Sequence, residues 1–124
     1  VVFLSRYAWH VKYELDTERM RRGAEAFLGT HDFIGFASSG FSVKTTVRTI
    51  YGIEIAKSNN IITADVTGNG FLYNMVRIIA GTLVYAGSGR IDPAEMPEII
   101  ESRRRERAGI TAPAKGLCLR KVFY

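Results

Sequence analysis

The sequence predicts an α+β domain: a mostly antiparallel sheet with helices packed on one face. Three observations carry that expectation. Period-two alternation appears near both ends of the chain and twice in the middle, and the two central runs are joined by the turn residues Ser58-Asn59-Asn60 as a β-hairpin. Two segments with acidic caps read as helices, the first with an amphipathic apolar stripe, and a third is apolar nearly all round. No repeat, low-complexity tract or internal linker divides the 124 residues, so they are expected to form a single domain.

The elements follow in order. Tyr7, Trp9, Val11 and Tyr13 alternate with polar or small residues, which predicts a strand from about Arg6 to Glu14. Asp16 stands where an N-cap is needed, and Met20, Ala24, Phe27 and Leu28 form a stripe closed by Gly29, with Arg19, Arg21 and Arg22 on the exposed face. The segment from Thr30 to Thr45 reads as an ordered loop pinned by Phe33, Phe36 and Phe41. Strands are expected over Thr46 to Lys57, with Val47, Thr49, Tyr51, Ile53 and Ile55 on one face, and over Ile61 to Thr67. After Gly68-Asn69-Gly70, a largely buried helix is expected from Phe71 to Ala86. Asp92-Pro93-Ala94-Glu95 opens another, to about Arg103. After a connection over Gly109 to Gly116, alternation from Leu117 to Tyr124 gives the last strand.

Composition narrows the function classes. Cys118 is the single cysteine, which rules out an internal disulfide framework and a cysteine-based zinc cluster, and suits a reducing, cytoplasmic setting. The best apolar run, Ile78 to Ala86, falls short of the roughly 20 residues of a membrane span. Val1 to Leu4 lacks the basic stretch and cleavage pattern of a signal peptide, and the chain does not open on Met, so Val1 is expected to be a cut point within a longer product. A net charge of +5, with Arg outnumbering Lys, favours polyanionic partners without naming one.

Few residues suggest chemistry. Gly68-Asn69-Gly70 lacks the third glycine of a dinucleotide turn and the Lys-Ser/Thr of a phosphate loop, which leaves a bulge or tight turn, or glycines admitting a large ligand. His10 and His31 have no carboxylates placed to complete a metal set, and neither Ser38-Ser39 nor Cys118 sits in a nucleophile motif. Arg77 is the unusual residue. It lies inside Met75-Val76-Arg77-Ile78-Ile79, where a buried cation needs compensation. Two readings stay open: an internal ion pair, with Asp65 the nearest candidate, or an active-site guanidinium that keeps a catalytic carboxylate ionised. The basic runs Arg19 to Arg22 and Arg103 to Arg107 are either solvated helix faces or RNA contacts.

Five strings in order resemble the C-terminal half of the tRNA pseudouridine synthase A family: Tyr7-Ala8-Trp9-His10; Gly29-Thr30-His31-Asp32-Phe33 with Phe36; Asn69-Gly70-Phe71-Leu72-Tyr73-Asn74-Met75-Val76-Arg77; Gly81-Thr82-Leu83; and Ala112-Pro113-Ala114-Lys115-Gly116-Leu117-Cys118-Leu119. The resemblance implies half of the pseudouridine synthase fold and isomerisation of uridine to pseudouridine in the anticodon stem-loop of tRNA, without metal or organic cofactor. It assigns Arg77 to the arginine that pairs with the catalytic Asp. That Asp belongs to an Arg-Thr-Asp-x-Gly string which Asp16, Asp32, Asp65 and Asp92 do not match, so the nucleophile is expected outside this chain, and the fragment alone is expected to be inactive. Leu117 or Leu119 is expected to wall the uracil ring, and Phe71 and Asn74 to bind substrate. Arg19, Arg22, His31, Arg103 and Arg104 are candidates for RNA contact. A homodimer with no membrane association is implied. The contrasting expectation, from net charge without a nucleophile, is a non-catalytic RNA-binding module.

Overall fold

The computed structural model describes residues 1–12, 14–38 and 43–123, with side chains described as far as Leu117 in the last strand. In chain order the elements are β1 (Val2–His10), α1 (Thr17–Glu25), β2 (Gly29–Asp32), β3 (Val47–Ser58), β4 (Ile61–Gly68), α2 (Met75–Ser88), α3 (Met96–Ser102) and β5 (Leu117–Phe123). The strands form one sheet in the order β2-β3-β4-β1-β5, and every pairing is antiparallel. The expected class, α+β with helices on one face, is the class observed.

Alternation in β4 sorts the two faces. Ile62, Ala64 and Val66 are buried beneath the helices, while Thr63, Asp65 and Thr67 lie on the open face. α2 packs on β1 and α1 on β3, and the two helices pack on each other. Met20, Phe27, Met75, Ile78, Ile79 and Leu83 are fully buried, each adding about 1.5–3 kcal/mol of burial free energy. Asp16 caps α1 as expected, its side chain accepting from the Glu18 and Arg19 amides.

Several boundaries differ from expectation for identifiable reasons. Gly29–Asp32, expected in a loop, pairs with β3 as an edge strand; its polar sequence has no alternation to announce it, and pairing comes from the free edge of β3. The expected Val47-Thr49-Tyr51-Ile53-Ile55 face is broken at Tyr51, an extra residue where the register shifts between Ile50 and Gly52. Ile50 thereby joins Ile53 and Ile55 on the helix-covered side, while Val47 and Tyr51 are exposed. β1 covers Val2–His10 instead of about Arg6 to Glu14, because its first residues pair with both β4 and β5. α1 stops at Glu25, so Leu28 is exposed. The Pro93 helix begins as a 3-10 turn capped by Asp92 before α3. Tyr13, Phe41 and Tyr124 lie outside the described residues.

Two features lock the fold around α2. The segment 108–116 crosses α2 as a strap, and where it crosses there is no room for a side chain: a Cβ at Gly81 would collide with the Ile110 carbonyl oxygen, and one at Gly109 would stand 2.7 Å from the Thr82 backbone. Thr82 Oγ1 donates to the Ile78 carbonyl at 2.7 Å and accepts from the Gly109 amide at 2.8 Å. Further along, Tyr7 Oη donates to the Pro113 carbonyl at 2.6 Å, fixing the strap to β1. On the open face, Arg6 and Asp65 stand opposite each other across β1 and β4 and form a bidentate ion pair at 2.6 and 2.8 Å.

Gly81→Ala is expected to lower stability by about 1–3 kcal/mol, read as a shifted urea midpoint, because the strap must lift; an unshifted midpoint would contradict the crossing. The Arg6 hydrogen bonds are the main cause holding the Asp65 carboxyl below its ordinary 3.8, against a smaller opposing effect of burial. A depressed folded-state pKa stabilises above the ordinary value and is lost as pH falls through the folded one. Asp65→Asn should therefore cost up to about 1 kcal/mol at pH 7, given the pair's exposure. That difference should shrink as pH drops below 3.8; a gap that persists there would exclude the pair as its source.

Candidate active site

Arg77 occupies the first turn of α2, between buried Val76 and Ile78. Its guanidinium is held on two sides. Nε donates to the Ala112 carbonyl on the strap at 2.7 Å, and Nη1 donates to Asn74 Oδ1 at 2.9 Å. The backbone completes the clasp, since the Ala112 amide donates to the Arg77 carbonyl at 3.0 Å. The internal ion pair with Asp65 is not formed: Asp65 is engaged with Arg6 on the far face of the sheet. None of the ion pairs among the described residues includes Arg77. Neutral oxygens hold this cation, and its Nη2 amino group has no partner among the described residues.

The approach to α2 explains how the side chain is aimed. Residues 71–74, expected to be helical, instead form the turn that enters the helix, and Asn74 takes a left-handed backbone with φ of 61°. Gly68-Asn69-Gly70 is a close backbone approach. A Cβ at Gly68 would lie 2.8 Å from the Thr49 carbonyl, and Asn69 Oδ1 accepts from the Thr49 amide at 2.8 Å.

Beside this turn lies an open cleft of about 980 Å³ between the start of β1, the start of β3 and residues 69–74. Phe3, Lys44, Arg48, Phe71, Tyr73 and Asn74 contribute to its walls, and Tyr73 is exposed. Arg48 is fixed by donating Nη1 to the Thr45 and Val47 carbonyls at 2.7 and 2.8 Å. Arg77 does not line the cleft itself; Asn74, one turn before it, stands in the wall and touches the guanidinium. Lys44, Arg48 and Tyr73 escaped the sequence reading as cleft residues because the fold, not a local motif, brings β3 beside residues 69–74.

The other expected site residues are distributed more widely. Leu117 begins β5, partly buried against the core, and the side chain of Leu119 lies outside the described residues. Arg19 closes the far end of α2, donating to the Ala86 and Ile91 carbonyls at 2.8 and 3.1 Å, while its neighbour Arg22 is exposed. His31 bonds the Leu28 carbonyl through Nε2 at 2.8 Å, so that nitrogen carries the proton. It shares a shallow depression with Asp32, Glu101 and Arg103, whose Nη1 is 3.9 Å from Asp32. Arg104 is exposed and donates to Glu106 at 2.8 Å. Asn74 thus touches Arg77 and shares the cleft wall with Phe71, whereas Arg19 and Arg22 lie on α1, with Arg19 at the opposite end of α2. Among the described residues, no group of three or more His, Cys, Asp or Glu could hold a metal ion, and no helix is long and apolar enough to cross a membrane.

Comparison with known proteins agrees with the strings around this site. Residues 24–124 match a family model described as tRNA pseudouridine synthase. A protein named tRNA pseudouridine synthase A from Acetivibrio thermocellus is 54% identical over 121 residues, covering 98% of this chain and 50% of that relative. One of the same name from Thermoanaerobacter sp. (strain X514) is 47% identical over 121 residues, again covering 98% of this chain and 50% of the relative. A Clostridium tetani protein named tRNA pseudouridine synthase A 2 is 51% identical over 118 residues, covering 95% of this chain and 48% of its own length. The chain therefore spans about half the length of the curated relatives it matches, and it belongs to the tRNA pseudouridine synthase family.

Proposed function

We propose that the full-length protein bearing this chain isomerises uridine to pseudouridine in the anticodon stem-loop of tRNA, with Arg77 pairing a catalytic aspartate contributed by residues outside these 124. One observation carries the reading. A partly buried guanidinium is fixed by neutral oxygens on two sides, without a carboxylate partner among the described residues, and Asn74, which it touches, lines an open cleft large enough to admit a nucleotide. The relatives' name and their doubled length support it.

The chemistry asks for this arrangement. The glycosidic bond from C1′ to N1 breaks, the uracil turns, and C1′ bonds C5; the C5 proton leaves to solvent and N1 regains one. A carboxylate that attacks or takes a proton must be ionised in a site shielded from water, where burial raises its pKa. An adjacent arginine lowers it again and fixes its direction. The target nucleotide must leave the base stack, at a cost of a few kcal/mol, and enter a pocket with aromatic surface. Phe71 and Tyr73 offer that surface, and Lys44 and Arg48 in the cleft wall are assigned to phosphate contact. Leu117 and Leu119 are assigned to the apolar wall against uracil. Exposed Arg22, Arg103 and Arg104, together with His31, are assigned to backbone contact outside the cleft, and Arg19 to support of the end of α2. The protein acts as a homodimer in the cytoplasm.

Tritium release from tRNA carrying C5-tritiated uridine tests this directly. The full-length protein should release tritium, and its Arg77→Ala variant should release none while binding tRNA within about threefold of the parent, because only the reacting centre is altered. Full activity in the variant would refute the role. Absence of release by either protein, with tRNA bound, would favour a non-catalytic RNA-binding module. The 124-residue chain alone should release no tritium.

A further inference from the structure

Asn74 is built to do something other than what its position in the helix suggests. It is the N-cap residue of α2, a place where asparagine ordinarily accepts a hydrogen bond from the second or third amide of the helix. Here its side chain makes no such cap. Oδ1 accepts from Arg77 Nη1 at 2.9 Å, and Nδ2 donates to Ser38 Oγ at 2.9 Å. The orientation of the amide is dictated by chemistry: a guanidinium only donates, so the oxygen must face Arg77 and the nitrogen must face Ser38. Ser38 is itself fixed to the same turn, its amide donating to the Tyr73 carbonyl at 3.1 Å.

We infer that Asn74, held by Ser38, is a positioning residue that aims the Arg77 guanidinium and leaves its charge available to a carboxylate from outside the chain. This rests on the proposed role of Arg77. The choice of side chain follows from two demands. The backbone is left-handed, which asparagine, aspartate and glycine tolerate best. Of these, only asparagine supplies an acceptor to the arginine without neutralising it. Aspartate would satisfy the guanidinium within the chain, and glycine would release it.

Those demands make an ordering that a merely structural role would reverse. In the full-length protein, Asn74→Asp keeps the shape, suits the left-handed backbone and places a negative charge at a helix N-terminus, so it should fold at least as well as the parent. Its turnover should nevertheless be the lowest, beneath detection in single-turnover tritium release. Asn74→Gly should fold, bind tRNA within about twofold, and lose about 10- to 100-fold in the single-turnover rate, as expected for a misaimed group. Ser38→Ala should show the same split between rate and binding to a smaller degree, about three- to tenfold.

The inference is overturned if Asn74→Asp turns over as the parent does, or if its turnover exceeds that of Asn74→Gly. It is equally overturned if the losses lie in tRNA binding with the rate unchanged. If Asn74→Gly does not fold, Asn74→Asp and Ser38→Ala decide alone: a parental rate in Asn74→Asp rejects the positioning role, and a parental rate in Ser38→Ala rejects its support by Ser38. Arg77→Ala, run alongside, separates the two claims. Activity in that variant rejects the reading of Arg77 itself, whereas an inactive Arg77→Ala beside a fully active Asn74→Asp rejects the role of Asn74 alone.

Discussion

The candidate site depends on how a single cation is held in the first turn of a largely apolar helix. Arg77 is flanked by Val76 and Ile78 in the layer that packs on the sheet, and its partly buried guanidinium loses part of its hydration there. The Ala112 carbonyl and the Asn74 amide oxygen compensate it in part and direct it. Neither removes the charge. The result is a positioned cation whose Nη2 amino group has no partner among the described residues, an arrangement that favours an anion at that place over any neutral group.

Much of the local architecture serves those two oxygens. Ala112 belongs to the strap over α2, and the strap can lie so low only because Gly81 and Gly109 bring backbone against backbone while Thr82 bonds to both sides. Tyr7 then fixes Pro113, the next residue, to β1. Asn74 belongs to the turn between β4 and α2, which Ser38 braces from the aromatic loop packed around Phe33 and Phe36. The core therefore sets the geometry around Arg77 at two removes: side-chain packing fixes the strap and the loop, and these fix the oxygens.

The sheet, the two larger helices and the unusual placement of Arg77 were legible in the sequence because each leaves a local mark. Alternation marks β4, Asp16 marks the start of α1, and a cation in an apolar run demands compensating partners. What was not legible depends on contacts between distant segments. β2 is a strand only because β3 has a free edge. The bulge at Tyr51 reverses which side chains face the helices, and no local property of Ile50 or Tyr51 announces it. Asp65 looked available to Arg77 because it precedes α2 in the chain, but its alternation in β4 turns it to the open face, opposite Arg6. Asn74 read as a substrate-binding residue since it lies in a motif beside Arg77; its engagement with both Ser38 and Arg77 needed the loop and the helix to be placed together. The side chain of Leu119, expected beside uracil, lies outside the described residues.

The central claim is that Arg77 is held ready for a carboxylate that this chain does not provide. A crystal structure of the full-length protein measures it most directly, as the distance from the Arg77 guanidinium nitrogens to the nearest carboxylate oxygen. The account predicts an aspartate from outside these residues at about 2.7–2.9 Å, with the Asn74 and Ala112 contacts kept. A guanidinium paired instead with an acidic residue of this chain, or turned into solvent with no carboxylate near, would contradict it.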